Sequence, residues 1–253
     1  MDVHIEATGF NARAADYEKG RPSYPPEAVQ WLVSCLAIGP GATVVDLAAG
    51  TGKLTRLLVG TGATVVAVEP MAGMRAVLAE QVPGVEVLEG TAEQLPLPEG
   101  SASAITVAQA FHWFRGDEAL AEAHRALGGA GRLGLVWNVR DLGDPLQAAL
   151  EQVMGRYRGD SPSEGTGRWR EAFERTTLFS PLDHRCFSFR QELTPPELVA
   201  RVLSVSFMAR LPDEEQQRVA AEVAALAPGP GPVALPYKTD VYWCQAEAGR
   251  RSP

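Results

Sequence analysis

The sequence predicts an α/β fold: a seven-stranded, mostly parallel sheet with helices on both faces and helical insertions that act as a lid. Three observations predict it. β-like and helical runs alternate from residue 43 to 137, an order that implies parallel strands joined by right-handed crossovers. The β runs in that half are continuous apolar segments, as strands covered on both sides should be. Beyond Trp137 the alternation gives way to helical stretches between two further β runs.

Pro25-Pro26-Glu27 opens a first helix whose apolar positions Ala28, Val29, Leu32, Val33 and Leu36 follow a 3.6-residue period, and Gly39-Pro40-Gly41 stops it. β runs follow at Thr43–Leu47, Thr64–Glu69, Val85–Leu88, Ala104–Ala108 and Gly131–Trp137. Helices between them cover about Leu54–Gly60, Ala72–Gln81 and Gly116–Leu127. Next come helical stretches near 144–157 and 168–176, a strand at His184–Glu192, and helices near 195–205 and 213–226. The stiff connector Pro228–Pro232 leads into a last β run from Val233 to Gln245, which Pro236 is expected to interrupt. The chain reads as one domain over 1–253, with a ligand-binding core at 38–140 and lid insertions at 141–182 and 192–231.

Composition narrows the function. Hydrophobic residues make up 45% and charged residues 21%, the balance of a globular protein with a full core. A net charge of -8 argues against nucleic acid, which requires a basic face, and no apolar run reaches membrane-span length. Cys35, Cys186 and Cys244 are far apart, and no Cys/His spacing resembles a metal site. Cys35 and Cys244 read as small core residues. The first residues carry Asp2, Glu6, Asp16 and Glu18 and no apolar signal run, so a reduced, cytoplasmic protein is expected.

The most informative stretch is Val44-Val45-Asp46-Leu47-Ala48-Ala49-Gly50-Thr51-Gly52-Lys53-Leu54-Thr55. A β run ends in an acid, breaks into small residues and enters a helix, which sets backbone N–H groups and a helix start against a ligand. With Glu69 ending the next β run, this points to an adenosine-containing cofactor. The turn lacks the G-x-G-x-x-G spacing that seats a pyrophosphate. Asp46 is expected to face the ligand, where it would repel a phosphate and suit a cationic centre.

These segments resemble the class I S-adenosylmethionine-dependent methyltransferases over roughly residues 10–140. The resemblance implies a Rossmann-like fold, S-adenosyl-L-methionine as cofactor and S-adenosyl-L-homocysteine as product. Asp46, Ala48, Ala49, Gly50, Thr51 and Gly52 match the nucleoside-binding turn, with Ala48 in place of the commonest first glycine. Glu69 matches the acid that accepts hydrogen bonds from the ribose hydroxyls, and Pro70-Met71 lies against adenine. Glu89-Gly90-Thr91-Ala92-Glu93 resembles the adenine-reading segment, and Ala108-Gln109-Ala110 the segment beside the methionine moiety. Tyr17-Glu18-Lys19-Gly20-Arg21-Pro22, Phe111-His112-Trp113-Phe114 and Trp137-Asn138 are similar to the trans-aconitate/cantharidin-type branch of small-molecule methyltransferases. That likeness implies that Tyr17 and Arg21 close the site over the cofactor; alternatively they pin an N-terminal arm.

For the acceptor, Trp113, Phe114, Trp137 and Asn138 are expected to line the pocket, the aromatics having core packing as their other reading. Arg140, just past the fifth strand, either attracts an anionic acceptor or is a solvated loop charge. His112 is the candidate general base, because it follows the fourth strand and an ordinary imidazole titrates in the right range; its other reading is a hydrogen bond to the lid or a carbonyl. The leading function is methylation of a small organic molecule, with O-methylation of a carboxylate or hydroxyl favoured, by a monomer or homodimer. No N/D-P-P-Y/F-type segment follows the fourth strand, which disfavours methylation of an exocyclic base nitrogen. A nicotinamide oxidoreductase and a non-catalytic S-adenosylmethionine-binding protein are the competing classes.

Overall fold

The computed structural model describes residues 18 and 20–248. Its seven strands are β1 (Thr43–Leu47), β2 (Thr64–Val68), β3 (Glu86–Leu88), β4 (Ala104–Ala108), β5 (Arg132–Arg140), β6 (Asp183–Leu193) and β7 (Val233–Gln245). They lie in one sheet of order β3-β2-β1-β4-β5-β7-β6. The first five pair in parallel, and β7 inserts antiparallel between β5 and β6. The fold is therefore the Rossmann-like, mostly parallel sheet expected. Chain direction across the sheet reverses between β1 and β4, which leaves a crevice at their carboxyl ends, the usual ligand position in open α/β sheets.

Helices α1 (Pro26–Cys35), α2 (Thr55–Val59), α3 (Ala72–Gln81) and α4 (Gly116–Leu127) serve the parallel half. Pro26 begins α1, where a missing N–H costs nothing. Gly128 ends α4 in the left-handed conformation, returning its N–H to Arg125 O and His124 O. The strands are buried on both faces: one apolar cluster joins Val45, Ile105 and Leu135 to Leu120 and Leu127 of α4, and another joins Val44, Val65 and Val136 to Leu32 and Leu36 of α1.

The remaining helices are α5 (Pro145–Gly155), α6 (Arg170–Arg175), α7 (Pro195–Leu203), α8 (Ser206–Ala209) and α9 (Asp213–Leu226). Asp144 accepts a hydrogen bond from Gln147 N at 2.9 Å to cap α5, and Thr194 with Glu197 forms a capping box on α7. A third apolar cluster joins Leu150 and Met154 of α5, Leu198 and Val202 of α7, and Val219 and Val223 of α9 to Leu235 and Tyr237 of β7. The two inserted segments thus pack on each other and on the end of β7. No helix among the described residues is long and apolar enough to cross a membrane.

Three expectations are corrected. β5 continues to Arg140, so this residue is part of the strand rather than of a following loop, and it pairs with Tyr237. Pro236 does not interrupt β7. Its carbonyl accepts hydrogen bonds from Asp141 N at 3.2 Å and Gln147 Nε2 at 2.8 Å, on the side where β5 has ended, so the absent proline N–H removes no ladder bond there. Cys35 is half-buried, whereas Cys244 is a core residue as read from the sequence.

Gly134 marks a close contact between sheet and helix. A Cβ there would come within 2.6 Å of Leu32 Cδ1 and 2.8 Å of Leu36 Cδ1, both on buried leucines that would have to shift. Gly134→Val is expected to lower unfolding free energy by about 1–3 kcal/mol through overpacking. Urea denaturation measures it, and an unchanged midpoint would mean that α1 adapts without cost.

Candidate functional site

A cavity of 370 Å³ opens at the carboxyl ends of β1, β2 and β4, its walls contributed by the segments that follow those strands together with both inserted regions. The turn after β1 is held in an unusual backbone. Ala48, Gly50 and Gly52 have φ of 54°, 59° and 85°. For Gly50 this is unstrained, and nothing lies within 4 Å of the position where a Cβ would be. For Ala48 it costs roughly 1–2 kcal/mol. Gln109, with φ 60°, is similarly placed after β4. Both residues line the cavity, so two of the three non-glycine residues with left-handed backbone among the described residues lie at the site, the third being Ala37 after α1.

Glu69 shapes this turn. Its carboxylate is buried at the end of β2, accepting hydrogen bonds from Gly50 N at 2.9 Å through Oε2 and from Met71 N at 3.0 Å through Oε1. Burial raises its pKa to about 7 in spite of those two N–H donors. Glu69, Pro70 and Met71 all line the cavity, as do Ala48, Gly50, Thr91, Ala92, Glu93, Ala108, Gln109 and Ala110. Arg21 reaches the same cavity and donates from Nη2 to Ser204 O at 3.3 Å. Tyr17 lies outside the described residues.

Asp46 departs from its expected place. It lines no part of the cavity; it is fully buried, with Oδ2 accepting from Thr55 Oγ1 at 2.6 Å and Oδ1 from Thr106 Oγ1 at 3.0 Å. Burial raises its pKa to about 6. Asp46 braces the first turn of α2 against β4, and its carboxylate does not contact the cavity. Gly52 also faces away: a Cβ there would meet Leu78 and Val82, each at 3.0 Å, and its absence lets α3 pack against the turn. Ala49 and Thr51 border only a smaller adjoining pocket. Thr51 Oγ1 donates to Glu18 Oε2 at 2.5 Å, and Lys53 and Arg56 bind the same carboxylate, at 3.4 and 2.5 Å. Glu18 is thus fixed to the turn. Glu18 lies in the family-like segment quoted from the sequence, but the resemblance implies roles there only for its neighbours Tyr17 and Arg21.

On the far wall, the 3₁₀ turn Phe111–Trp113 after β4 presents His112. Its Nδ1 accepts from Trp137 Nε1 at 3.3 Å. Burial, followed by the charge of Arg21, pushes its pKa down to about 3. At neutral pH the ring is uncharged, its one lone pair faces the indole donor, and Nε2 carries the proton. A general base needs a free lone pair and a pKa near the working pH, so this geometry does not suit the role expected of His112. It makes His112 a hydrogen-bond donor.

Trp113 and Phe114 line the cavity while packing at its edge against the core. Trp137 contacts the cavity but is 1% exposed and packs against Trp169 at 4.5 Å between ring centres, so core packing dominates its surroundings. Asn138 also lines the cavity, but both ends of its amide are engaged: Nδ2 donates to Ser23 O at 3.0 Å and Oδ1 accepts from Thr239 Oγ1 at 2.7 Å. Arg140 is no solvated charge: it lines the cavity and pairs with Glu151 at 3.3 Å. Arg158, Arg201 and Phe207 from the inserted segments line it too and were not foreseen. Arg201 had a signal, as a cation on the apolar stripe formed by Leu198, Val202 and Val205.

Comparison with known proteins bears on this site. A methyltransferase-domain family matches residues 45–135, from β1 into β5. The chain is similar to an uncharacterized methyltransferase-like protein of Schizosaccharomyces pombe, 36% identical over 228 residues that cover 90% of this chain and 89% of that one. An uncharacterized methyltransferase of Mycobacterium tuberculosis is 39% identical over 240 residues, covering 91% and 92%. Among solved structures, the YcgJ protein of Bacillus subtilis superposes with a TM-score of 0.56 at 18% identity, covering 88% and 99%. The [4+2]-cyclase SpnF superposes with a TM-score of 0.56 at 16% identity, covering 91% and 85%. At those identities the structural likeness shows the fold, and one fold serves different reactions.

The raised Glu69 pKa carries a stability consequence. Its folded value of about 7 lies above the ordinary 4.5, so the folded state holds the proton more tightly than the unfolded chain does. Relative to Glu69→Gln, the wild type is then expected to gain stability as pH falls from about 7 to 4.5 and to lose it as pH rises through that window, by ~3 kcal/mol in all. Urea unfolding of the ligand-free proteins across this range tests it; parallel pH profiles would rule the linkage out.

Proposed function

Because this chain belongs to the class I methyltransferases, we propose that it transfers the methyl group of S-adenosylmethionine to an oxygen of a small organic acceptor. The observation that carries this reading is the Glu69 carboxylate on the cavity wall, beside the open backbone of Gly50. Each Glu69 oxygen holds one backbone N–H and keeps a second lone pair, the acceptor set that two adjacent ribose hydroxyls require. The residues present therefore fit a nucleoside. Glu69 would hold the ribose, Met71 with Thr91–Glu93 the adenine, and Ala108–Ala110 the methionine portion. The cavity also falls within the size range of small-molecule sites.

When bound, S-adenosylmethionine supplies a methyl group already activated on a sulfonium. The protein's task is then to align the acceptor and exclude water. Trp113 and Phe114 offer aromatic faces that tolerate a cation. Through Nε2–H, His112 orients the acceptor by donating a hydrogen bond, and it removes no proton. A carboxylate acceptor is ionised at neutral pH and needs no base, whereas a hydroxyl must lose a proton. The state of His112 thus favours a carboxylate within the O-methylation reading. The proposal carries with it a cytoplasmic monomer or homodimer acting without nucleic-acid or membrane partners.

Calorimetry with S-adenosylmethionine, S-adenosylhomocysteine and NAD tests the cofactor assignment. Both sulfur ligands are expected to bind and NAD is not, and Glu69→Ala should weaken S-adenosylmethionine by roughly tenfold or more. Absence of binding by either sulfur ligand overturns the reading. For His112, the acceptor-methylation profile should show no limb near about pH 6.5, and His112→Asn should retain more activity than His112→Ala. A limb that disappears in His112→Ala would restore the general-base role.

A further inference from the structure

Four arginines from separate parts of the chain line the cavity: Arg21, Arg140 of β5, Arg158 beyond α5, and Arg201 of α7. Among the described residues, one carboxylate forms ion pairs with two of them. Glu151 of α5 pairs with Arg140 at 3.3 Å and with Arg158. The cavity's other acids are directed elsewhere. Glu69 holds the turn, Glu93 accepts from Arg115 N at 2.9 Å, and the charges around Glu164 are those of Asp240, Arg170 and His184.

Arg201 is the telling member. It is 5% exposed, and its Nε donates to Tyr237 Oη at 3.0 Å, yet its Nη1 is shielded from solvent without a hydrogen-bond partner. Leaving a buried donor unsatisfied costs about 1–3 kcal/mol, and more when the group is charged. Arg140 shows the same crowding: burial, then the charges of Arg201 and Arg21, lowers its pKa to about 9. Buried like charges are destabilising until an anion joins them. A planar guanidinium fork matches the oxygens of a carboxylate or a phosphate.

On the reading of the protein as a methyltransferase, we propose that these arginines form an oxyanion subsite for a non-reacting carboxylate or phosphate of the methyl acceptor. Arg201 anchors that group, and Glu151 is a resident counter-ion that the acceptor's anion displaces from Arg140 and Arg158. The subsite takes one arginine from each inserted segment, one from the sheet and one from the N-terminal side. Binding an anion therefore draws the lid onto the core. Glu151 keeps the arginines oriented and partly neutralised until then.

The test titrates glutarate, glycerol 3-phosphate and neutral dimethyl glutarate into the full chain, with and without S-adenosylhomocysteine, whose own binding is measured separately. At least one of the two anions is expected to bind, and which one identifies the group as carboxylate or phosphate; dimethyl glutarate is not expected to bind. Arg201→Met should weaken the anion roughly tenfold or more while leaving S-adenosylhomocysteine within about twofold. Glu151→Gln should tighten the anion severalfold, a direction that a purely structural ion pair would not give. Should Arg201→Met fail to fold, Arg158→Met at the cavity rim reports on the same subsite. Failure of both anions, equal binding of the neutral ester, or a weaker anion in Glu151→Gln overturns the proposal. Anion binding without S-adenosylhomocysteine binding would retain the subsite and remove the methyl-donor reading instead.

Discussion

The pair of hydrogen bonds that Gly50 N and Met71 N donate to Glu69 is the contact on which the rest of the site depends. It joins the turn after β1 to the chain leaving β2, and so sets the shape of the crevice where the strand order reverses. Asp46 supports it from below by bridging Thr55 and Thr106, and Glu18 supports it from outside through Thr51, Lys53 and Arg56. Three carboxylates thus hold one turn of small residues, each from a different direction. The arrangement is costly, since two of them are buried and Ala48 sits in a backbone region that disfavours a side chain.

The cavity joins two kinds of wall. One is backbone and small side chains at the ends of parallel strands, suited to close approach by a nucleoside. The other comes from the inserted segments, which bring Arg158, Arg201 and Glu151 to face Arg140 of β5, side chains suited to reaching a polar molecule. His112 stands between them, uncharged and committed to donating through its pairing with Trp137. On the proposed function, positive charge on one wall and aromatic surface near the other would serve an anionic acceptor that reacts without prior deprotonation.

The parallel half was legible from the sequence because its strands are continuous apolar runs between well-marked helices, and burial on both faces leaves such runs few alternatives. β5 and β7 were harder. Asn138-Val139-Arg140 contains polar residues because this end of the strand lines the cavity, and Pro236 looks like a breaker until its missing N–H is seen to face past the end of β5. Within the site, Glu69 and the small turn residues could be located because their chemistry is local. Asp46 was misplaced because a motif fixes a residue's position along the chain, while the direction of its side chain depended on Thr55 and Thr106. Arg158 and Arg201 reach the cavity through the packing of α5 against α7 and α9, contacts between distant segments that no local spacing encodes.

Helices α5, α7 and α9 of the inserted segments have an apolar centre of their own, shared with Leu235 and Tyr237 at the end of β7, whereas Trp169 and Ala172 around α6 join the cluster of the sheet itself. Substitutions that reshape the acceptor wall can therefore accumulate there with little disturbance to the turn held by Glu69. The architecture is modular in the evolutionary sense. On the proposed function, the donor side can stay fixed while the acceptor wall changes, so likeness in the core says correspondingly little about the acceptor.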